Sequence, residues 1–243
     1  MIKLANSGAA FYSVAHISTG DGRHADQSFH RGLSTVQIMS DQRRGTLLWI
    51  NGAHGSGKTH VAADLVRRVP HSHLVDPEHV GFGLRRMYPR SERPDYRTLD
   101  AWSSAVSSTL IDILDRTGAT IIAPQTVADS LLLSQILDPV RASQHRVVHV
   151  TLSLQLHELR RRLRSRGDVI ASYAQHQAGA TLDALAAPEF GVHIDTGHRT
   201  VQQVADEIAK VAGLDIRPDR SSLTARAIRT AALRVSAIRL PWA

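Results

Sequence analysis

The segment that most restricts the possible folds is Gly52-Ala53-His54-Gly55-Ser56-Gly57-Lys58-Thr59. The apolar run Thr46-Leu47-Leu48-Trp49-Ile50 precedes it, and Val61, Leu65 and Val69 follow at helical spacing. The pattern G-x-x-x-x-G-K-[ST] between a buried strand and a helix marks a turn built to receive an anion. Its glycines permit conformations that aim successive backbone N–H groups inward, and the start of the helix adds partial positive charge. Gly52, Ala53, His54, Gly55, Ser56, Gly57, Lys58 and Thr59 are therefore expected to hold nucleotide phosphates. Lys58 reaches the β- and γ-phosphates in this reading, and the Thr59 hydroxyl is offered to Mg²⁺. A flexible glycine turn with a surface lysine is the alternative, and the flanking strand and helix count against it.

The same alternation continues along the chain. Pro70 stops the first helix, Leu74-Val75 reads as a second strand, and Asp76-Pro77-Glu78 reads as a helix start with an acidic first turn. Leu99, Trp102, Val106, Leu110, Ile113 and Leu114 recur at helical spacing up to Gly118, and Ala119–Ala123 follows as a buried strand. Asp129 caps the next helix. Arg146–Leu152 is a fourth strand, Leu156, Leu159 and Leu163 mark an arginine-covered helix ending at Gly167, and Val192–Asp195 is a fifth strand. Thr200 caps a last helix that stops at Gly213. Strand and helix in regular alternation predict an α/β domain over residues 45–217, a parallel sheet with helices on both faces. Residues 1–44 lack either period and read as a flexible extension. Residues 218–243 read as a basic tail.

Composition narrows the chemistry. The chain has no cysteine, which excludes disulfide scaffolds, zinc knuckles, iron–sulfur ligation and thiol nucleophiles, and suits a reducing cytoplasm. No run approaches the roughly 18–20 apolar residues of a membrane span. The net charge is +7, almost all of it arginine, since only Lys3, Lys58 and Lys210 are lysine. In the tail, Arg226, Arg229, Arg234 and Arg239 spread around a helical wheel, so neither nucleic acid nor a membrane surface is the favoured partner. The 14 histidines form no H-E-x-x-H pattern, and no metal centre built from them is expected.

Three further positions are singled out. Asp76 directly follows the second strand, where ligands of parallel sheets gather, and there a carboxylate accepts a proton from an attacking hydroxyl or holds Mg²⁺ through water. An ordinary helix N-cap explains the same aspartate equally well. Arg162 and Arg166 stand one helical turn apart, a spacing that lets both guanidiniums close over phosphates, against the alternative of a solvated basic face. Gln125 and Thr126 occupy the end of the third strand, where an acid of the Walker B type often sits. Without that acid, a small kinase-like domain fits better than a motor-type ATPase.

Leu48-Trp49-Ile50-Asn51-Gly52-Ala53, the Gly55–Thr59 stretch and Asp76-Pro77-Glu78-His79-Val80-Gly81-Phe82 together resemble the tunicamycin-resistance family of P-loop proteins. Trp102, Leu159–Asp168 and Phe190–Thr196 continue the likeness in order, from Gly45 to about Gly213. The resemblance implies a P-loop NTPase fold similar to adenylate, shikimate and chloramphenicol kinases, with a five-stranded parallel sheet in the order 2-3-1-4-5. It also implies ATP binding. Members protect cells from tunicamycin, a nucleoside antibiotic. Phosphoryl transfer to a small-molecule hydroxyl fits such a fold, and ATP-dependent sequestration of the drug without chemistry is the alternative. By analogy, the Asp76–Phe82 stretch lines the acceptor side.

Overall fold

The computed structural model describes residues 44–164 and 169–222, the stretch 169–176 by its backbone alone. The extension up to residue 43, Arg166, and the tail arginines from Arg226 onward lie outside the described residues. Five strands form one parallel sheet: β1 (Thr46–Gly52), β2 (Ser72–Leu74), β3 (Thr120–Pro124), β4 (Arg146–Ser153) and β5 (Val192–Asp195). Their spatial order is β2-β3-β1-β4-β5, the order the resemblance implied. In the central strand, Leu48 pairs with Ile122 on one side and Val148 on the other.

Strand alternation divides the core between two faces. Leu47 and Trp49 of β1 face the helices α3 (Asp100–Thr117) and α4 (Ser130–Ala142), meeting Trp102, Val106, Leu110, Ile136 and Val140. Leu48 and Ile50 face α1 (Lys58–Arg68) and α7 (Val201–Ala212), meeting Val61, Leu65, Val204 and Ile208. Each such fully buried side chain contributes about 1.5–3 kcal/mol. The continuous apolar composition of β1 and β3 follows from this covering of both faces. Two expected caps are in place: Asp129 accepts the Leu132 N–H at 2.9 Å, and Thr200 with Gln203 forms a capping box.

Two elements differ from the sequence reading. The second strand lies earlier, at Ser72–Leu74, and Val75 adds only its N–H to the Ile122 carbonyl at 3.0 Å. Between α5 (Leu156–Arg164) and β5 runs α6 (Val169–Leu185), which the periodicity did not mark because alanine, glutamine and glycine interrupt any apolar stripe. Among the described residues, no helix is long and apolar enough to cross a membrane.

The start of α2 (Glu78–Met87) is fixed from below. Buried Trp102 donates its Nε1–H to the Pro77 carbonyl at 3.1 Å, and the Tyr96 ring packs against both Trp102 and Phe82. That packing requires a glycine on α2, because a Cβ at Gly81 would stand 2.3 Å from Tyr96 Cδ2. In an open helix, alanine in place of glycine stabilises. Gly81→Ala is expected instead to destabilise by about 1–3 kcal/mol through overpacking, read as a lowered thermal midpoint.

Candidate functional site

The turn after β1 has the conformation its glycines were expected to allow. Gly52 and Gly55 have φ of 141° and 90°, and a Cβ on Gly55 would come within 2.9 Å of Leu163 on α5. The Ser56 N–H closes the turn on the Ala53 carbonyl at 3.0 Å, and α1 begins at Lys58. The helix start thus lies at the end of the sheet's central strand.

Lys58 is folded onto this turn. Its Nζ donates to the carbonyls of Gly52 at 2.8 Å and Ala53 at 3.1 Å, and to Thr126 Oγ1 at 2.7 Å. Thr126 Oγ1 in turn donates to the Gly52 carbonyl at 2.8 Å. A hydroxyl at the end of β3 therefore takes the position beside the lysine where the sequence reading noted a missing acid. Asn51, fully buried, joins the same two segments: its Oδ1 accepts from the N–H groups of Gly52 and Val127, and its Nδ2 donates to the Val127 carbonyl at 2.8 Å. The sequence reading gave neither Thr126 nor Asn51 a role. Both act across more than 70 positions of chain, which no local pattern reports.

Asp76 follows β2 at the same edge of the sheet. Its Oδ1 accepts the Glu78 N–H at 3.0 Å, a local turn bond from the residue before Pro77, which is the N-cap of α2 in place of the expected Asp76. Thr59 is exposed at the start of α1, and the Ser56 hydroxyl, 1% exposed, has no hydrogen-bond partner among the described residues. An orphaned buried hydroxyl within a glycine cradle at a helix start fits a bound phosphate. Among the described residues, no group of three or more His, Asp or Glu side chains could hold a metal ion. The residues present suit Mg²⁺ carried in with phosphate oxygens and met by a single hydroxyl.

Arg162 turns toward the protein backbone. Its Nη1 donates to the Ser56 carbonyl at 3.2 Å and to Thr196 Oγ1 at 3.1 Å, and its Nη2 donates to the carbonyls of Thr196 at 2.6 Å and Gly197 at 3.2 Å. Glu158 pairs with both Arg161 and Arg162, and these partners hold its carboxyl down to about 2, the Arg161 hydrogen bond contributing most. Arg162 thus ties the phosphate turn to the loop after β5. Helical spacing predicted its face, and the carbonyls around it decide what it binds.

Beside Lys58 a cleft of about 340 Å³ opens between the turn, the segment after β3 and α6. Ala53, His54 and Thr126 line it beside the glycine turn, and Arg97, Asp129 and Gln177 supply further polar groups. In the core beside Trp102, the Tyr96 phenol is held above the ordinary tyrosine range, chiefly by burial and then by the Glu78 carboxylate. Arg97 and Asp129 as site-forming groups were also absent from the sequence reading.

A sequence-family profile described as an AAA domain matches residues 47–190. Among solved structures, the tunicamycin resistance protein of Deinococcus radiodurans is 30% identical with a TM-score of 0.62, the match covering 72% of this chain and 100% of that one. A sugar kinase from Janibacter sp. HTCC2649 is 17% identical with a TM-score of 0.51, over 70% of this chain and 95% of that one. A gluconokinase from Sinorhizobium meliloti 1021 is likewise 17% identical with a TM-score of 0.51, over 71% and 94%. No curated protein sequence matches. The two kinases share the fold.

Thr126→Val keeps the shape and removes the hydroxyl. It is expected to destabilise by about 1–3 kcal/mol in equilibrium unfolding, with Thr126→Ser restoring most of the loss. Glu158 contributes stability above its ordinary value of 4.5 that is lost as pH falls through about 2. Glu158→Gln should therefore flatten the acid limb of the stability–pH curve within that window, as read by urea titrations.

Proposed function

This chain belongs to the AAA-domain family of P-loop proteins, with a kinase-like fold related to the tunicamycin resistance protein, and on that footing we propose that it is an ATP-dependent small-molecule phosphotransferase. The acceptor is a hydroxyl of a nucleoside antibiotic of the tunicamycin kind. The observation that carries this reading is the shared wall: Ala53 and His54 of the glycine turn, with Thr126 bonded to Gly52 and Lys58, also line a cleft of small-molecule size. A nucleotide on one side and a hydroxyl on the other meet there without a large moving part.

When bound, ATP supplies the γ-phosphoryl group, which passes to the acceptor oxygen with release of ADP, and Mg²⁺ offsets charge on the phosphate oxygens. Gly52–Thr59 hold the phosphates through backbone N–H groups and the Ser56 hydroxyl. Lys58 exchanges its carbonyl and Thr126 partners for β- and γ-phosphate oxygens, and Thr59 meets Mg²⁺. Asp76 accepts the proton that the acceptor hydroxyl gives up, or holds Mg²⁺ through water. Arg162 keeps the turn in register with the loop after β5, and Arg166, four residues later in the sequence, supplies charge over the phosphates. The protein acts in a reducing cytoplasm on a diffusible substrate, without nucleic acid.

One observation favours a second reading, ATP-dependent sequestration without chemistry: the bond from Glu78 N–H already engages Asp76 Oδ1. Mass spectrometry of tunicamycin after incubation with the protein, Mg²⁺ and ATP separates the two. The expected result is the gain of one phosphoryl group, abolished in Lys58→Ala and reduced by about 10²-fold or more in Asp76→Asn. Unmodified drug that co-elutes with ATP-loaded protein would establish sequestration instead. Turnover unchanged in Asp76→Asn would remove the general-base role.

A further inference from the structure

The imidazole of His54 is an ionisable group of the glycine turn that backbone binding of phosphate does not explain. His54 is the second residue of the tight turn that the Ser56 N–H closes on the Ala53 carbonyl at 3.0 Å, and Gly55 at the third place has φ of 90°, as a type II turn requires. Both neighbours are pinned: Ala53 is 1% exposed, and Gly55 lies against Leu159 and Leu163 of α5. His54 itself is exposed and lines the cleft together with Thr126, whose Oγ1 accepts from the Lys58 ammonium at 2.7 Å. A backbone held on both sides presents the imidazole at a fixed place on the cleft wall.

The charges around that place have other duties. Among the described residues, the ionisable groups lining the cleft are His54, Arg97 and Asp129. Arg97, on the turn before α3, donates to the Asp95 carboxylate through Nε and Nη2. Arg162, on α5, gives its guanidinium to the carbonyls of Ser56, Thr196 and Gly197, with Glu158 paired to it. Asp129 turns Oδ1 to the Leu132 N–H, and α6 contributes the neutral Gln177 and Thr181. A γ-phosphate reaching from the glycine turn toward an acceptor in the cleft shares Lys58 with the β-phosphate, and His54 stands on the wall it meets. Histidine changes charge near neutral pH, and an anion within about 4–6 Å holds it in the cationic form.

We infer that His54 discriminates ATP from ADP: its imidazole takes up a proton when ATP binds and donates a charge-assisted hydrogen bond to a γ-phosphoryl oxygen. The inference rests on the phosphotransfer reading above, which puts the γ-phosphate at the cleft, and adds what separates the substrate nucleotide from the product. His54 keeps its proton through the transfer, and the proton of the acceptor hydroxyl leaves through Asp76 as proposed above. Once the phosphoryl group has gone, the imidazolium loses its partner and returns its proton to solvent, and ADP is held less tightly. Asp129 lines the cleft whichever nucleotide is bound, so its charge produces no difference between the two. Because binding takes up a proton, ATP affinity falls as pH rises through neutrality, while ADP affinity changes little.

The test is calorimetric titration of the full chain with ATPγS and Mg²⁺, then with ADP and Mg²⁺, at about pH 7.5. Each titration is run in buffers of different ionisation enthalpy, so that proton uptake is read directly. The expected result is uptake of about half a proton or more per ATPγS bound and close to none with ADP. The affinity for ATPγS should fall by about tenfold between about pH 6.5 and 8.5. His54→Gln should abolish the uptake, weaken ATPγS binding by about tenfold at the lower pH and leave ADP binding within about twofold of wild type. His54→Asn, a second neutral side chain that suits a turn, gives the same readout, and thermal melting of both variants checks that the fold is kept. Uptake that persists in both variants, equal uptake with ADP, or ATPγS binding by the wild type without uptake would overturn the inference. A wild-type chain that binds neither nucleotide would overturn the phosphotransfer reading itself, and the inference with it.

Discussion

A turn that receives an anion with its backbone N–H groups must take its shape from carbonyls and side chains. The arrangement around Gly52–Thr59 meets that constraint. Lys58 and Thr126 hold the Gly52 carbonyl, Asn51 fastens the end of β1 to Val127, and Arg162 takes the Ser56 carbonyl together with the loop after β5. Three strand ends, β1, β3 and β5, are thereby locked to one another at the edge where the chemistry is proposed. The sheet's order makes this possible, since β1 lies between β3 and β4, with β5 one strand beyond.

The side proposed for the acceptor is built on a different basis. Its frame is aromatic: Trp102 holds Pro77, Tyr96 lies on Gly81, and Phe82 closes against Tyr96. Aromatic side chains are large and lose little rotamer freedom on packing, so they fix the start of α2, and with it Asp76, without many polar contacts. Hydrogen bonds shape the glycine turn and ring packing shapes the start of α2, and Thr126 belongs to the first while lining the cleft beside it.

Much of this was legible in the sequence where the physics is local. Gly52–Thr59 are contiguous and carry their flanking strand and helix with them, and Asp129 and Thr200 announce their helices by capping chemistry. Asp76 is singled out by its place after a strand, and the structure shows its Oδ1 accepting the Glu78 N–H. What stayed hidden is non-local. Thr126 reads as an absence until folding places it 2.7 Å from Lys58. Arg162 shows its helical face from spacing alone, yet its partners are the carbonyls of Ser56, Thr196 and Gly197, and carbonyls have no sequence signature. Tyr96 is an ordinary residue in one dimension.

Besides the two large cores on either face of the sheet, a third is small: Ala53, Leu154, Leu159, Leu163 and Ala178, lying under the phosphate turn. So few apolar side chains cannot match the cooperativity of the main cores, and regions of this kind open at lower free energy than the global transition. The turn leans on this satellite through Gly55, against Leu159 and Leu163. On heating, the chain should therefore part with its binding competence before its sheet. Amide hydrogens in α5 would exchange early while those of β1 remain protected, and a nucleotide lodged in the turn would draw the two events together.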